Sequence, residues 1–328
     1  MSNNLKILIT QLGRIGDMIL LTPMFSLIKE KYPNCCIDVI CGTKNHPVIR
    51  FNPHINHIHI FDKSPLKLVR LFVNIRKNKY DFYIDPKDHF SRESSILAKI
   101  IRAKNKIGLI YDKKSSFNLP IPNNEENKGK HYSLKILNPL GYLDIDISQT
   151  YYKPVIYESP DSIAYFKEFQ TENSFGKYIV INISASQKRK MWDKDKWVEL
   201  INLMNQSSKL KNFNFVICSA PSELKELNYI IQNTRKILHY KSRNLLDVVS
   251  LIKNSDLLIT PDTALVHIAA AYNIKLIGLF ANNPLFYSMF HPLSDCYEAV
   301  MTPEGSEIIN DISVNQVFDS LIRISEKL

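Results

Sequence analysis

The 328-residue sequence has no apolar run of the roughly 18 residues that a membrane-spanning helix needs. Its first ten residues, MSNNLKILIT, lack a basic segment and a cleavage site, so they predict a strand rather than a signal peptide. The five cysteines include no Cys-x-x-Cys pair, which indicates reduced thiols rather than a disulfide framework. These absences favour a cytoplasmic protein.

Two familiar phosphate-binding loops are also missing. Gly13 and Gly16 lie between a predicted strand, Leu5–Thr10, and a predicted helix, Met18–Lys31. The third glycine and the acidic residue of a dinucleotide fingerprint do not follow, and neither does the Lys-Ser/Thr of a Walker loop. What remains is Asp17, a carboxylate at a helix start on the ligand-binding edge of a sheet. It either caps the helix or takes part in chemistry.

The length and the alternation of strands and helices predict two α/β domains. A single core rarely fills 328 residues. Pro154–Pro160 carries the prolines of an interdomain linker, so we predict two Rossmann-like, doubly wound domains at residues 1–155 and 156–328. The last predicted helix, Val314–Lys327, is one that can pack back on the first domain.

The net charge of +10 is distributed unevenly. Residues 1–150 carry all of it, residues 151–328 carry none, and the stretch from Lys63 to Lys114 alone carries +9. Such an excess indicates nucleic acid, phospholipid or an acidic glycolipid as partner, unless it is only a solvated surface. The sequence shows no aromatic stacking platforms or repeated base-reading elements, which disfavours nucleic acid.

Residues 255–284 predict a βαβ unit with an anion site at its turn. Strand Leu257–Ile259 leads through Thr260-Pro261-Asp262-Thr263 into helix Ala264–Tyr272, and strand Lys275–Phe280 follows a C-cap at Asn273. The free N–H groups at the start of the helix and the helix dipole suit a diphosphate. The alternative is an ordinary capped helix.

This segment resembles the donor-binding signature of the lipopolysaccharide heptosyltransferases, the ADP-heptose-using family of inverting GT-B glycosyltransferases. With this segment, five matches to the family follow its order along the chain: Gly16-Asp17…Thr22-Pro23, Asp85…Arg92, Lys190-Met191-Trp192, Glu223 and Thr260–His267. Four positions depart from the family pattern, because Ser184, Ser219, Ala264 and Ala281 stand where glycine is expected or commoner.

The resemblance implies a GT-B fold, with two domains facing across a cleft, the acceptor on the first and the donor on the second. It implies that a heptose moves from ADP-heptose to an acidic lipopolysaccharide core acceptor, with inversion and with neither metal nor cofactor. Asp17 would be the catalytic base. The donor-binding candidates are Ser184, Lys190, Glu223, Asp262, Thr263, Ala264 and His267. The acceptor-binding candidates are the basic residues Arg14, Arg70, Arg76, Lys87 and Arg92, with Arg92 expected in the loop after the strand Tyr80–Asp85.

Several alternatives stay open. Glu223 is either a ribose contact or a favourable acid in the first turn of a helix, and His267 is either a phosphate partner or a packed core residue. The enzyme could also be a GT-B protein that uses another nucleotide sugar, including an epimerase. We expect a monomer that binds a nucleotide sugar and an anionic glycolipid at the inner face of the inner membrane, and that binds no nucleic acid.

Three histidines, His54, His57 and His59, cluster around the predicted strand Ile55–Phe61. The alternation places His57 and His59 together on one outward face. No cysteine or carboxylate array completes a metal site in the sequence around them, so none is predicted.

Overall fold

The computed structural model describes residues 4–121, 129–147 and 152–327. The chain divides into two units, Met1–Tyr157 and Glu158–Leu328. Each unit contains a six-stranded parallel sheet flanked by helices. The predicted class, α/β with two doubly wound Rossmann-like units, is therefore confirmed.

The first sheet has the strand order β3-β2-β1-β4-β5-β6. Its strands are β1 (Lys6–Gln11), β2 (Cys36–Gly42), β3 (His57–Phe61), β4 (Tyr80–Ile84), β5 (Ala103–Gly108) and β6 (Leu119–Pro120). The helices are α1 (Ile15–Leu21), α2 (Pro23–Lys31), α3 (Pro65–Lys77), α4 (Arg92–Ile100) and α5 (Tyr132–Lys135). One face of the sheet is covered by α3 and α4, whose apolar side chains pack on those of the strands.

The helix predicted over Met18–Lys31 is in fact two helices, α1 and α2, which meet at Thr22-Pro23. Pro23 has no N–H to continue the first helix. The Thr22 hydroxyl donates to the carbonyl of Ile19 at 2.6 Å and accepts the backbone N–H of Val155 at 2.8 Å. Thr22 therefore closes α1 and also anchors the end of the first unit.

The second sheet has the order β12-β11-β10-β7-β8-β9. Its strands are β7 (Tyr178–Asn182), β8 (Asn214–Cys218), β9 (Ile237–His239), β10 (Leu257–Pro261), β11 (Lys275–Phe280) and β12 (Tyr297–Met301). The helices are α6 (Pro160–Asn173), α7 (Lys194–Gln206), α8 (Leu224–Asn233), α9 (Leu245–Lys253), α10 (Ala264–Ala271), α11 (Pro284–Phe290) and α12 (Val314–Ser325).

The C-terminal helix α12 has its apolar face in the core of the second unit. Val317, Leu321 and Ile324 are buried there in one cluster with Trp192 and Trp197. No helix among the described residues is both long and apolar enough to cross a membrane.

In both sheets the strand order reverses beside the first strand of the unit. The reversal falls between β1 and β4 in the first sheet and between β7 and β10 in the second. Open α/β sheets bind ligands at the carboxyl ends of the strands at such a switch point. The loops that follow these four strands are therefore where the predicted site residues must be examined.

Candidate functional site

The loop after β1 holds Asp17 in a fixed position. Asp17 is the third residue of α1, and its Oδ2 accepts the backbone N–H of Arg14 at 3.3 Å. A Cβ on Gly13 would lie 2.8 Å from that oxygen, so any larger residue there would displace the Asp17 carboxylate from this position. The buried side chain of Asn45 donates to the carbonyl oxygens of Gln11 and Gly13, at 3.0 and 3.1 Å, and fixes the loop from the side of β2.

Burial raises the pKa of Asp17 above its usual value, although the Arg14 N–H and the charges of Arg14, His89 and Lys87 partly offset it. The structure thus brings two predicted acceptor residues, Arg14 and Lys87, close to the predicted base. His89 was not predicted. A carboxylate with a raised pKa is a stronger base, while the cations around it attract an anionic substrate. Asp17 caps α1 and is also placed for proton transfer.

Two more titratable groups lie at this edge. Asp85 was predicted as part of the motif Asp85…Arg92 but was given no role, and Tyr132 was not predicted. Asp85 directly follows β4, and its Oδ1 accepts the N–H of Lys87 at 3.3 Å. Burial raises the pKa of Asp85. Burial and the nearby carboxylates of Asp17, Asp88 and Asp85 raise the pKa of Tyr132, so its phenol stays neutral. No sequence signal marked Tyr132, because it lies far along the chain from the other residues of this edge.

A small pocket opens beside the loop after β4. Its lining includes Asp85, Lys87, His89, Ser91 and Tyr111. Arg92, expected in this loop, is instead the exposed first residue of α4, because Ser91 caps that helix by accepting the N–H of Ser94 at 3.4 Å.

The other two acceptor candidates, Arg70 and Arg76, lie on the exposed side of α3. That helix follows the edge strand β3, two strands away from β1. The five basic candidates are therefore not one cluster: Arg14 and Lys87 surround Asp17, whereas Arg70 and Arg76 belong to a separate surface.

In the second unit, Lys190 and Asp262 form a largely buried ion pair at the start of α10. The Lys190 ammonium also lies 4.9 Å from the centre of the Phe286 ring, within range of a cation–π contact. These contacts fix the ammonium beside the helix N-terminus, where the dipole already favours an anion. Lys190, the predicted phosphate-binding lysine, therefore lies at the predicted anion site, the N-terminus of α10.

His267 lies one turn into α10 and is buried. Burial, with contributions from Lys190 and His291, lowers its pKa to about 4, so the ring is neutral at pH 7. Its Nδ1 is buried and has no hydrogen-bond partner among the described residues. The structure therefore shows a packed neutral histidine that is close enough to Lys190 to sense its charge.

A chain of hydrogen bonds joins the remaining donor candidates across three strand ends. The hydroxyls of Thr263 and Thr260 are 3.3 Å apart, and the Asn182 amide donates to Thr260 Oγ1 at 2.8 Å and to the Ser184 carbonyl at 3.0 Å. The Ser184 hydroxyl then donates to Glu223 Oε2 at 2.7 Å. Glu223 is buried and makes no cap bond to α8, so its carboxylate belongs to this network.

The substitution of alanine for the family glycine at position 264 causes no backbone strain. Ala264 is the first residue of α10, and it is not among the described residues with positive φ. Thr263 caps the helix by accepting the N–H of Leu265 at 3.2 Å. At the other end, Asn273 takes the left-handed conformation with φ of 55°, one residue beyond the C-cap.

The sequence matches the family model described as glycosyltransferase family 9 (heptosyltransferase) over residues 68–309. It is 28% identical over 293 residues to lipopolysaccharide heptosyltransferase 3 of Escherichia coli. The aligned region covers 83% of this chain and 82% of that protein.

Solved structures that share the fold include two bacterial proteins. One is a glycosyl transferase family 9 protein from Veillonella parvula DSM 2008, with a TM-score of 0.84, 19% identity and coverage of 100% and 99% of the two chains. The other is E. coli ADP-heptose lps heptosyltransferase II, with a TM-score of 0.79, 17% identity and coverage of 98% and 99%.

Proposed function

Because the chain belongs to glycosyltransferase family 9, the heptosyltransferases, we propose that it moves a heptose from ADP-heptose to an acidic lipopolysaccharide core acceptor. Transfer inverts the anomeric carbon and needs no metal ion. The observation that carries this proposal is Asp17, a carboxylate of raised pKa held at the switch point of the first sheet beside Arg14 and Lys87.

Asp17 is the general base. Its carboxylate takes the proton of the acceptor hydroxyl as the hydroxyl oxygen bonds to the anomeric carbon, on the face opposite the leaving group. A single displacement of this kind inverts the configuration, and its transition state has oxocarbenium character. Arg14 and Lys87 bind the anionic groups of the acceptor and keep it beside the base.

The second unit binds the donor and stabilises the leaving group. As the bond from the anomeric carbon to the diphosphate breaks, the electron pair leaves with ADP. The Lys190 ammonium and the N–H groups at the start of α10 stabilise that charge. Asp262 is the ion-pair partner of Lys190, so ADP must compete with this carboxylate for the ammonium. Glu223, at the other end of the hydrogen-bonded network, accepts from the ribose hydroxyls.

Nucleotide binding tests the donor site. ADP should bind more tightly than UDP, GDP or CMP in calorimetric titrations. Lys190→Ala should weaken ADP binding by ~1.5–3 kcal/mol, the range for a hydrogen bond to a charged group. Lys188→Ala, which removes an exposed lysine from the same turn, is the control and should change little. If Lys190→Ala and Lys188→Ala bind ADP with equal affinity, the donor site is misplaced.

Product analysis tests the reaction. NMR of the product should show an anomeric configuration opposite to that of the donor, and turnover should continue in EDTA. Consumption of the nucleotide sugar without any acceptor would favour an epimerase instead.

The same proposal assigns α3 to the lipid surface that carries the acceptor. Leu66, Val69 and Val73 are 86%, 61% and 51% exposed, and they share the outer side of α3 with Arg70 and Lys77. An apolar stripe flanked by cations suits the interface of an anionic bilayer. Contact with the inner leaflet would hold the enzyme where a lipid-linked acceptor is found.

A further inference from the structure

A second cluster of reactive side chains lies at the amino ends of the strands of the first sheet, whereas Asp17 follows the carboxyl end of β1. Cys36 and His57 are the first residues of the neighbouring parallel strands β2 and β3, and Asp38 is in register with His57. The residues at i and i+2 of a strand share a face. Cys36, Asp38, His57 and His59 therefore project from one face at the amino ends of the strands.

Three of these side chains already have their ligand atoms together. The Cys36 Sγ, one Asp38 oxygen and the His57 Nδ1 all lie within 4.8 Å of one another. Asp38 Oδ1 is 2.8 Å from His57 Nδ1 and 3.7 Å from Cys36 Sγ. Ligand atoms around a tetrahedral zinc ion are about 3.3 to 3.8 Å apart, as follows from bond lengths of about 2.0 to 2.3 Å. Sub-ångström to ångström shifts of side chains would complete such a shell.

His59 offers a fourth nitrogen, although it lies outside the group of three whose ligand atoms are within 4.8 Å of one another. Its Nε2 is 3.9 Å from Asp38 Oδ2, too far for a hydrogen bond, and it is buried without a hydrogen-bond partner among the described residues. A buried ring nitrogen with no partner is costly, and a cation between it and the carboxylate would satisfy both. The prediction that His57 and His59 face outward together is wrong for His59, which is half-buried, whereas Ile60 on the other face is exposed.

We propose a structural zinc site whose four ligands are Cys36, Asp38, His57 and His59. A thiolate, imidazoles and a carboxylate are the donors that Zn²⁺ takes in proteins. Tyr80, whose hydroxyl donates to Asp38 Oδ2 at 2.9 Å, orients the carboxylate from outside the shell. The ion would join edge strand β3 to β2 and would take no part in the chemistry at Asp17.

Cobalt(II) is the probe, because a thiolate ligand gives it a charge-transfer absorption. The chelator-treated, fully reduced whole chain should bind one equivalent of Co²⁺ with that absorption, and Zn²⁺ should displace it. In Cys36→Ser the absorption should disappear. Loss of an outer-shell partner alone weakens metal binding by about 10- to 100-fold, so His57→Ala should weaken it by about 100-fold or more.

Two matched variants serve as controls. Cys296→Ser removes a half-buried thiol of the second unit, and His54→Ala removes the histidine just before β3; both should bind Co²⁺ as the parent does. His57 is 69% exposed, so its replacement should leave the fold intact, as circular dichroism would show. Absence of stoichiometric binding by the parent, or binding that His57→Ala leaves unchanged, would overturn the proposal.

Discussion

Burial moves the pKa of Asp17 and that of His267 in opposite directions, and in both it favours the neutral form. The two residues differ in what surrounds them. Arg14, Lys87 and His89 act against the effect of burial on the pKa of Asp17 and favour its ionised form. Lys190 adds to the effect of burial on His267, so this ring remains uncharged beside a phosphate lysine.

Asp17→Asn should lower turnover by ~10²–10⁴, the usual cost of losing a general base, while ADP affinity stays within a few fold. The amide oxygen can still accept the Arg14 N–H, so α1 should keep its cap. In the parent enzyme, kcat/KM should rise with pH as Asp17 loses its proton, with a midpoint above 3.8. Steady-state kinetics across pH would measure both effects.

Asp88→Asn is the matched control for this variant. Asp88 lies in the loop after β4 and is exposed enough to be replaced without loss of packing. If Asp88→Asn and Asp17→Asn lower turnover equally, the acid at position 17 acts only through its charge or as a helix cap.

His267 should make the second unit sensitive to acid. Its pKa is about 4 in the folded protein against 6.5 for an ordinary histidine, so the unfolded chain binds more protons between these values. The contribution of the neutral His267 to the free energy of unfolding is therefore complete above pH 6.5. It is lost as the pH falls towards 4, which lowers the free energy of unfolding by up to about 3 kcal/mol. His267→Gln should flatten this part of the stability profile.

Urea unfolding at pH 7, 6, 5 and 4 measures this difference. The fluorescence of Trp192 and Trp197 reports the second unit, because both tryptophans lie in its core. His54→Gln, a substitution in the first unit, should leave this profile unchanged. A His267→Gln profile parallel to that of the parent would contradict the assigned pKa.

At the scale of elements, strong periodicity made most helices and strands predictable from sequence. Strand β11 has the predicted ends, Lys275 and Phe280, since turn residues bound its apolar run. The break between α1 and α2 at Pro23 was missed, although a proline inside a helical pattern was the available signal. The pattern alone could not reveal that Cys36 and Asp38 face the β3 histidines, because the strand register sets that contact.

Helix α10 offers a prediction of its own. If the family glycine served a left-handed backbone, Ala264→Gly would improve ADP binding. Since Ala264 begins an ordinary helix turn, we expect ADP affinity to change by less than about twofold, and stability to fall by up to about 1 kcal/mol. Calorimetry and thermal unfolding measure the two quantities. A tenfold gain in affinity would show that the methyl group obstructs the phosphate.

At the scale of the whole molecule, the order of motifs and the charge asymmetry were readable from sequence, and most of the site geometry was not. The five motifs predicted the family that the comparisons identify. Asn45 and Asn182, which fix the loops of the two sites, carry no sequence signal, because their partners lie far along the chain. The basic excess in residues 1–150 likewise gave no indication that its arginines occupy two separate surfaces.

The last prediction concerns that excess. Each Lys or Arg near an anionic surface contributes ~1 kcal/mol, attenuated beyond a Debye length of about 8 Å. Replacing Arg70, Arg76 and Arg92 by Glu should abolish co-sedimentation with anionic vesicles and raise the acceptor KM, with ADP affinity unchanged. Replacing the exposed Lys167, Lys211 and Lys225 by Glu makes the same change in net charge in residues 151–328, which carry no net charge. This variant should show neither effect. A salt series should weaken binding of the parent steeply. If both triple variants behave alike, the membrane responds to net charge alone, and neither α3 nor the start of α4 has a special role.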